Sequence, residues 1–159
     1  RTVPSFGIGG CKYSGKVLAL AKEHMTQDIL DYGCGKSTLA NELPFKIKQY
    51  DPAILKFSLP PSPADLVICT DVLEHIEPAM LKGVLSHLRS LIKKAGYFSI
   101  ALQPARKTLA DGRNAHLIVE SVSWWEAKLK EFFTFKAIEV IANNEGAHQL
   151  VLATVTPNE

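Results

Sequence analysis

Ile29-Leu30-Asp31-Tyr32-Gly33-Cys34-Gly35-Lys36-Ser37 is the stretch that decides the fold. With Asp28 before them, its first four residues read as a short buried strand over 28–32, ended by glycine. Gly33 and Gly35 then let the chain turn sharply. A helix over 36–43, stopped at Pro44, follows directly. Strand, glycine turn and helix in this order open an α/β unit.

Working outward, the same alternation recurs. A helix over 16–24 precedes the stretch, with Val17, Leu18, Leu20 and Ala21 on one side. Residues 45–50 alternate as a strand, and Leu59-Pro60-Pro61-Ser62-Pro63 is a rigid connector. Residues 66–70 form the most apolar strand. Pro78 suits the first turn of a helix to about residue 93, with apolar face Met80, Leu81, Val84, Leu85, Leu88, Leu91 and Ile92. Lys93 and Lys94 would favour its C-terminal dipole, and Gly96 would end it. A strand over 97–102 leads into a long polar loop, 103–117. Ser121 caps a helix to about residue 132. Strands over 133–141 and 149–156 are joined by the hairpin signal Asn143-Asn144-Glu145-Gly146. The expectation is an open, mostly parallel sheet with an antiparallel C-terminal hairpin and helices on its faces. Ligands of such sheets sit beyond the carboxyl ends of the strands.

The bulk numbers fit one domain spanning 1–159. Of 159 residues, 47% are hydrophobic and 21% charged, and 18 basic against 16 acidic residues leave a net charge of +2. That balance gives no argument for a nucleic-acid groove, although it does not exclude a local basic patch. Cys11, Cys34 and Cys69 form no CxxC pair, so neither a disulfide framework nor a zinc knuckle is expected. A reducing, cytoplasmic setting fits. No apolar run approaches membrane-spanning length.

Three acidic or glycine-rich segments fall at strand ends: residues 31–35, Asp51, and residues 71–75. Asp51 lies 20 residues after Asp31, where a carboxylate can accept both hydroxyls of a ribose. A dinucleotide fingerprint needs a third glycine, but Thr38 stands there. Gly35-Lys36-Ser37 matches the tail of a phosphate loop, but the first glycine of that motif is replaced by Leu30, inside the strand. A nucleoside without phosphates remains.

Together, Ile29 through Gly35, Tyr50-Asp51-Pro52, and Asp65-Leu66-Val67-Ile68-Cys69-Thr70-Asp71-Val72-Leu73-Glu74-His75-Ile76 resemble the class I S-adenosylmethionine-dependent methyltransferases over residues 27–141. His116 and Ser123-Trp124-Trp125-Glu126-Ala127-Lys128-Leu129 extend the likeness more loosely. The resemblance implies a three-layer Rossmann-like sheet with S-adenosylmethionine as cofactor. It also implies that Asp31, Tyr32, Gly33, Cys34 and Gly35 hold the methionine moiety and that Asp51 and Pro52 lie at the ribose. Thr70, Asp71 and Val72 would line the adenine and sulfonium region. One departure stands out. Only thirteen residues, 52–64, separate the second and third strands, too few for the family's helix-strand-helix insert. One edge strand is therefore expected to be missing, leaving about six.

The acceptor is less constrained. The Asn/Asp-Pro-Pro-aromatic segment of DNA amino-methyltransferases is replaced by Thr70-Asp71-Val72-Leu73, and no Pro-Cys nucleophile occurs. Oxygen or nitrogen of a small molecule is the expected target. His116, His75 and Glu74 are the candidate catalytic groups, because neutral imidazole takes a proton from a hydroxyl near neutral pH. No residues are assigned to a metal. A less favoured reading is a divalent cation held by Asp71, Glu74, His75 and His116, similar to the small-RNA 2′-O-methyltransferase and ubiquinone-pathway branches. Two competing function classes are a non-catalytic S-adenosylmethionine-binding protein and a small nucleotide hydrolase. Arg106, Lys107 and Arg113 could meet an anionic acceptor, and Trp124 or Trp125 a flat one, with one of the two expected to pack on the sheet.

Overall fold

The computed structural model describes residues 13–142 and 149–159. In chain order the elements are α1 (Ser14–Glu23), β1 (Ile29–Tyr32), α2 (Thr38–Glu42), β2 (Lys48–Tyr50), β3 (Ala64–Thr70), α3 (Leu81–Leu91), β4 (Ile92–Ala101), α4 (Val122–Lys130), β5 (Phe133–Ala142) and β6 (Gln149–Pro157). The six strands form one sheet in the order β2-β1-β3-β4-β6-β5. The first four run parallel, with Leu30 beside Lys48 on one side and Val67 on the other. β6 is antiparallel to both β4 and β5. Between β2 and β3 the chain holds a single 3₁₀ turn, Leu55–Phe57, so the expected edge strand is indeed missing.

Alternation along the strands divides the core. Leu30, Val67, Cys69 and Phe98 pack under α3 and α4 with Leu85, Leu88, Trp125 and Leu129. Ile29, Leu66, Ile68 and Tyr97 face α1 with Val17 and Leu20. A parallel strand covered on both faces is apolar throughout, which explains the unbroken run in β3. Each fully buried aliphatic side chain contributes about 1.5–3 kcal/mol.

Several boundaries differ from the sequence reading. Gly96 does not end the helix. It lies inside β4 between Val67 and Val155, where a Cβ would come within 2.7 Å of Ile92 Cδ1. The helix breaks instead at Ile92, whose backbone is already extended, so Lys93 and Lys94 belong to the strand. Their ammonium groups meet Asp28 at 3.5 Å and Asp65 at 3.4 Å rather than a helix terminus. Pro78–Met80 is a 3₁₀ turn ahead of α3. α2 begins only after Ser37, whose φ of 63° is left-handed. The cap at Ser121 is as expected, with its Oγ accepting the Trp124 N–H at 3.2 Å. The hairpin signal at 143–146 lies outside the described residues. Among the described residues no helix is long and apolar enough to cross a membrane.

Candidate functional site

The carboxyl ends of β1, β2, β3 and β4 meet at one edge of the sheet, and the predicted residues gather there. Gly33 and Gly35 take φ of 80° and 51°, conformations that suit glycine. The turn is bolted to β2: the Gly33 and Cys34 N–H groups both donate to the Tyr50 carbonyl, at 2.7 and 3.0 Å. Asp51 Oδ2 accepts the Gly35 N–H at 3.0 Å and Oδ1 the Ala53 N–H at 2.9 Å. The carboxylate therefore braces the turn as well as facing the crevice. Pro52 beside it is exposed. With residues 29–32 in a strand, no phosphate-wrapping loop exists here.

Asp31 is only 4% exposed. Burial, reinforced by the nearby Asp51 carboxylate, pushes its carboxyl up to about 7. Cys34 is buried too, and its thiol is pushed up to about 12, chiefly by desolvation, so it stays protonated. The Tyr32 ring turns away from this carboxyl into the α3 layer, where its hydroxyl meets His87 Nδ1 at 2.9 Å and its ring packs against Tyr50 at a 57° tilt, 5.0 Å between centroids. Only its backbone belongs to the turn.

The segment after β3 crosses over the glycines. A Cβ on Gly33 would lie 2.4 Å from Val72 Cγ2, so the turn and this segment are in direct contact. Asp71 adopts φ of 55°, and its N–H and carboxylate both engage Ser99 Oγ, at 3.1 and 3.3 Å. Thr70 is half-buried beside it. The 3₁₀ turn Leu73–His75 then carries Glu74 inward and His75 toward the crevice. Glu74 is fully buried, its Oε1 accepting the Ala101 N–H at 3.0 Å.

His116 comes from the far side, on the loop after β4. Its ring centroid lies 4.7 Å from that of His75, edge to face at 82°. His75 Nδ1 donates to the Ala115 carbonyl at 2.9 Å and His116 Nδ1 to the Gln103 carbonyl. A carbonyl can only accept, so each Nδ1 bears a proton, and in the neutral ring Nε2 is left with the lone pair. Burial, with the neighbouring His116, lowers the His75 pKa and keeps that ring neutral. Among the described residues, ligand-type atoms of Glu74, His75 and His116 all lie within 4.8 Å of one another. One carboxylate and two imidazoles suit a divalent transition cation. Asp71, part of the set implied by resemblance, is not in this group.

Some participants were not visible in the sequence reading. Tyr13, at the entrance to α1, is buried, and desolvation, with the nearby Asp71 carboxylate, raises its phenol well above the ordinary range. Ser99 was the signal at hand: a serine within an apolar strand, fully buried. Arg113 is held by Glu77 at 2.7 Å and Asp111 at 2.8 Å, while Arg106 is exposed. Trp125 is buried in the core. Trp124 lines a groove of about 500 Å³ between α3 and α4, with Leu85, Ile118 and Phe132.

A six-stranded sheet, parallel but for an antiparallel C-terminal pair and carrying a glycine turn and a second-strand carboxylate, defines a nucleoside-binding α/β domain of the methyltransferase type. Residues 10–146 match the family profile described as methyltransferase domain, and the chain belongs to that family, the S-adenosylmethionine-dependent class I methyltransferases. No curated protein sequence matches the chain. Among solved structures, it is similar to the methyltransferase domain of bacterial CtHen1-C, at 14% identity over 96% of this chain and 100% of the other, TM-score 0.65. It is also similar to Burkholderia thailandensis 1,6-didemethyltoxoflavin-N1-methyltransferase, with bound 1,6-didemethyltoxoflavin and S-adenosylhomocysteine. Here identity is 14% over 94% and 80% of the chains, TM-score 0.64. A third is magnesium protoporphyrin IX methyltransferase from Synechocystis PCC 6803 with bound S-adenosylhomocysteine, at 17% identity over 98% and 90%, TM-score 0.60. At these identities the likeness concerns the fold.

Proposed function

We propose that this chain, folded as one domain in the reducing cytoplasm, transfers a methyl group from S-adenosylmethionine to an oxygen or nitrogen of a small-molecule acceptor. The observation that carries the reading is the contact between the two halves of the site. The glycine turn touches Val72, and His75, whose N–H donates to the Val72 carbonyl at 3.0 Å, faces His116. A methyl donor lying on the turn is thereby next to two imidazoles. That the structural relatives named above include enzymes of toxoflavin and porphyrin chemistry supports a small acceptor over a nucleic acid.

S-adenosylmethionine, when bound, supplies an electrophilic methyl on a sulfonium. Asp31 lies where it can face the ammonium of the methionine moiety; a buried carboxyl with a raised pKa is one that a cation would ionise. The backbone of Tyr32 to Gly35 forms the bed beneath that moiety. Asp51, with Pro52 beside it, takes the ribose hydroxyls while bracing Gly35, and Thr70, Asp71 and Val72 close the side wall. His116 would receive the acceptor's proton on Nε2 as the acceptor takes up the methyl group. His75 and the buried Glu74 frame it.

A second reading rests on the Glu74, His75 and His116 group, which could hold a divalent cation that lowers an acceptor hydroxyl's pKa. A chelator separates the two. It abolishes methyl transfer under the metal reading and leaves it intact under the base reading, where the rate instead falls as the imidazole protonates. Binding of S-adenosylhomocysteine without transfer to any hydroxyl or amine in an acceptor panel would leave the chain a non-catalytic binder and overturn both.

A further inference from the structure

The loop that carries His116 is largely exposed, yet its base is closely built. Asn114 and Ala115 are set inward within it. The Asn114 side chain makes three hydrogen bonds to the backbone. Its Oδ1 accepts the Ala105 N–H and the His116 N–H, both at 2.9 Å, and its Nδ2 donates to the Ala105 carbonyl at 2.8 Å. Beyond this point the loop makes its own small hairpin. The Ala115 N–H reaches Lys107, the Leu109 N–H reaches Arg113, and Gly112 turns the chain at φ 86°. Between residues 103–105 and 114–116, the Asn114 amide ties Ala105 to residues 114 and 116, beside the bond of His116 Nδ1 to the Gln103 carbonyl.

Both imidazole anchors sit on that neck. The Gln103 carbonyl, which holds His116 Nδ1, is two residues from Ala105, and the Ala115 carbonyl, which holds His75 Nδ1, is next to Asn114. Gln103 is itself fixed, its Oε1 accepting the Gln149 N–H at 2.8 Å at the start of β6. Further along, the Ile118 N–H donates to the Glu74 carbonyl at 3.0 Å and closes the other side. Loosening residue 105 from residue 116 would therefore release both carbonyl acceptors together.

We propose that Asn114 is a positioning residue that locks His75 and His116 in their Nδ1-protonated tautomers and so points both Nε2 lone pairs at the acceptor. The inference rests on the reading of these histidines as the acceptor-facing pair. It is chemically distinct from that reading, because the tautomer can be measured without any acceptor.

The test is long-range ¹H–¹⁵N spectroscopy of the chain labelled at histidine nitrogens, at a pH where the rings are neutral. His75→Gln and His116→Gln assign the signals. In the wild type both rings show a protonated Nδ1 and an unprotonated Nε2. In Asn114→Ala both move toward the Nε2-protonated form that free imidazole side chains prefer, with Nδ1–H falling to the minority. Asn114→Asp keeps the acceptor for the Ala105 and His116 N–H groups but puts a carboxylate oxygen where the donor to the Ala105 carbonyl stood. It restores the Nδ1–H form at His116, which a loop needing mere bulk would not require. The amide signals of Gly33 and Gly35 stay in place in both variants, showing an intact cofactor turn. Unchanged tautomers in Asn114→Ala, or an Asn114→Asp protein that folds without restoring His116, would overturn the proposal. Should the alanine variant fail to fold, Asn114→Ser, too short to reach Ala105, takes its place, with the same shift toward Nε2–H expected at both rings and unchanged tautomers overturning the proposal. If instead the tautomers respond as expected and no methyl transfer is found, the positioning role stands and the catalytic reading fails.

Discussion

Replacing Asp31 by Asn removes a buried carboxyl whose ionisation the fold opposes. The group is 4% exposed, and desolvation, with the Asp51 carboxylate adding to it, raises its pKa from 3.8 to about 7. The consequence for stability follows from proton linkage. Below pH 4 the carboxyl is neutral in both the folded and the unfolded chain. Between about pH 4 and 7 the unfolded chain gives up the proton and the folded one keeps it, so stability falls as pH rises. Above pH 7 both are ionised and the loss is complete. A rise of about three pH units corresponds to about 4 kcal/mol, an upper bound because the surroundings relax around the charge. Asparagine is neutral throughout. Asp31→Asn is therefore expected to melt near the wild type at pH 4.5 and clearly higher at pH 8. For a chain this long each kcal/mol is worth about 2–4 °C, which places the gap at several degrees. Under the proposed function the same variant would lack the carboxylate that faces the cofactor's ammonium, so binding is expected to weaken as stability rises. Calorimetry of S-adenosylhomocysteine binding at pH 6.5, in buffers of different ionisation enthalpy, should show proton release in the wild type and none in the variant. A melting difference that does not change with pH, or an Asp31→Asn chain less stable than the wild type at pH 8, would refute the reasoning.

Four further outcomes are expected. Gly33→Ala places a methyl 2.4 Å from Val72 at a φ of 80°, so it should cost about 1–3 kcal/mol in denaturant unfolding and weaken cofactor binding more than tenfold. Asp51→Ala should weaken S-adenosylhomocysteine binding by about 1.5–3 kcal/mol and, by releasing the Gly35 and Ala53 N–H groups, also lower the melting temperature; affinity equal to wild type by calorimetry would remove it from the site. His116→Ala should leave cofactor affinity within about twofold but reduce methyl transfer by roughly 100-fold once an acceptor is in hand, as steady-state rates would show. Trp125→Ala, truncating a fully buried ring, should destabilise the fold by about 3–5 kcal/mol in chemical denaturation.

The sequence was most legible where one pattern had one physical meaning. The short apolar run Leu66 to Thr70 read as a strand, and thirteen residues between strands could not hold another strand with its helices. Glycine misled the reading at position 96, because a glycine after an amphipathic helix looks the same whether it caps the helix or lets two neighbouring side chains close over a strand. Lys93 and Lys94 misled it in the same way, since their partners Asp28 and Asp65 are distant in sequence. At the site, Asp31, Gly33, Gly35 and Asp51 stood out because a turn and a carboxylate at a strand end are local features. The dual role of Asp51, the burial of Tyr32 against His87 and the neck built by Asn114 depend on contacts across 16, 55 and 9 residues, which no local pattern encodes.

The most direct test of the central claim is isothermal titration calorimetry of the purified chain with S-adenosylhomocysteine, set against ATP and NAD. A nucleoside site built from a glycine turn and Asp51, without a phosphate loop, predicts micromolar binding of S-adenosylhomocysteine and no detectable heat from the other two. ATP binding more tightly than S-adenosylhomocysteine, or no S-adenosylhomocysteine binding by a folded chain, would contradict it.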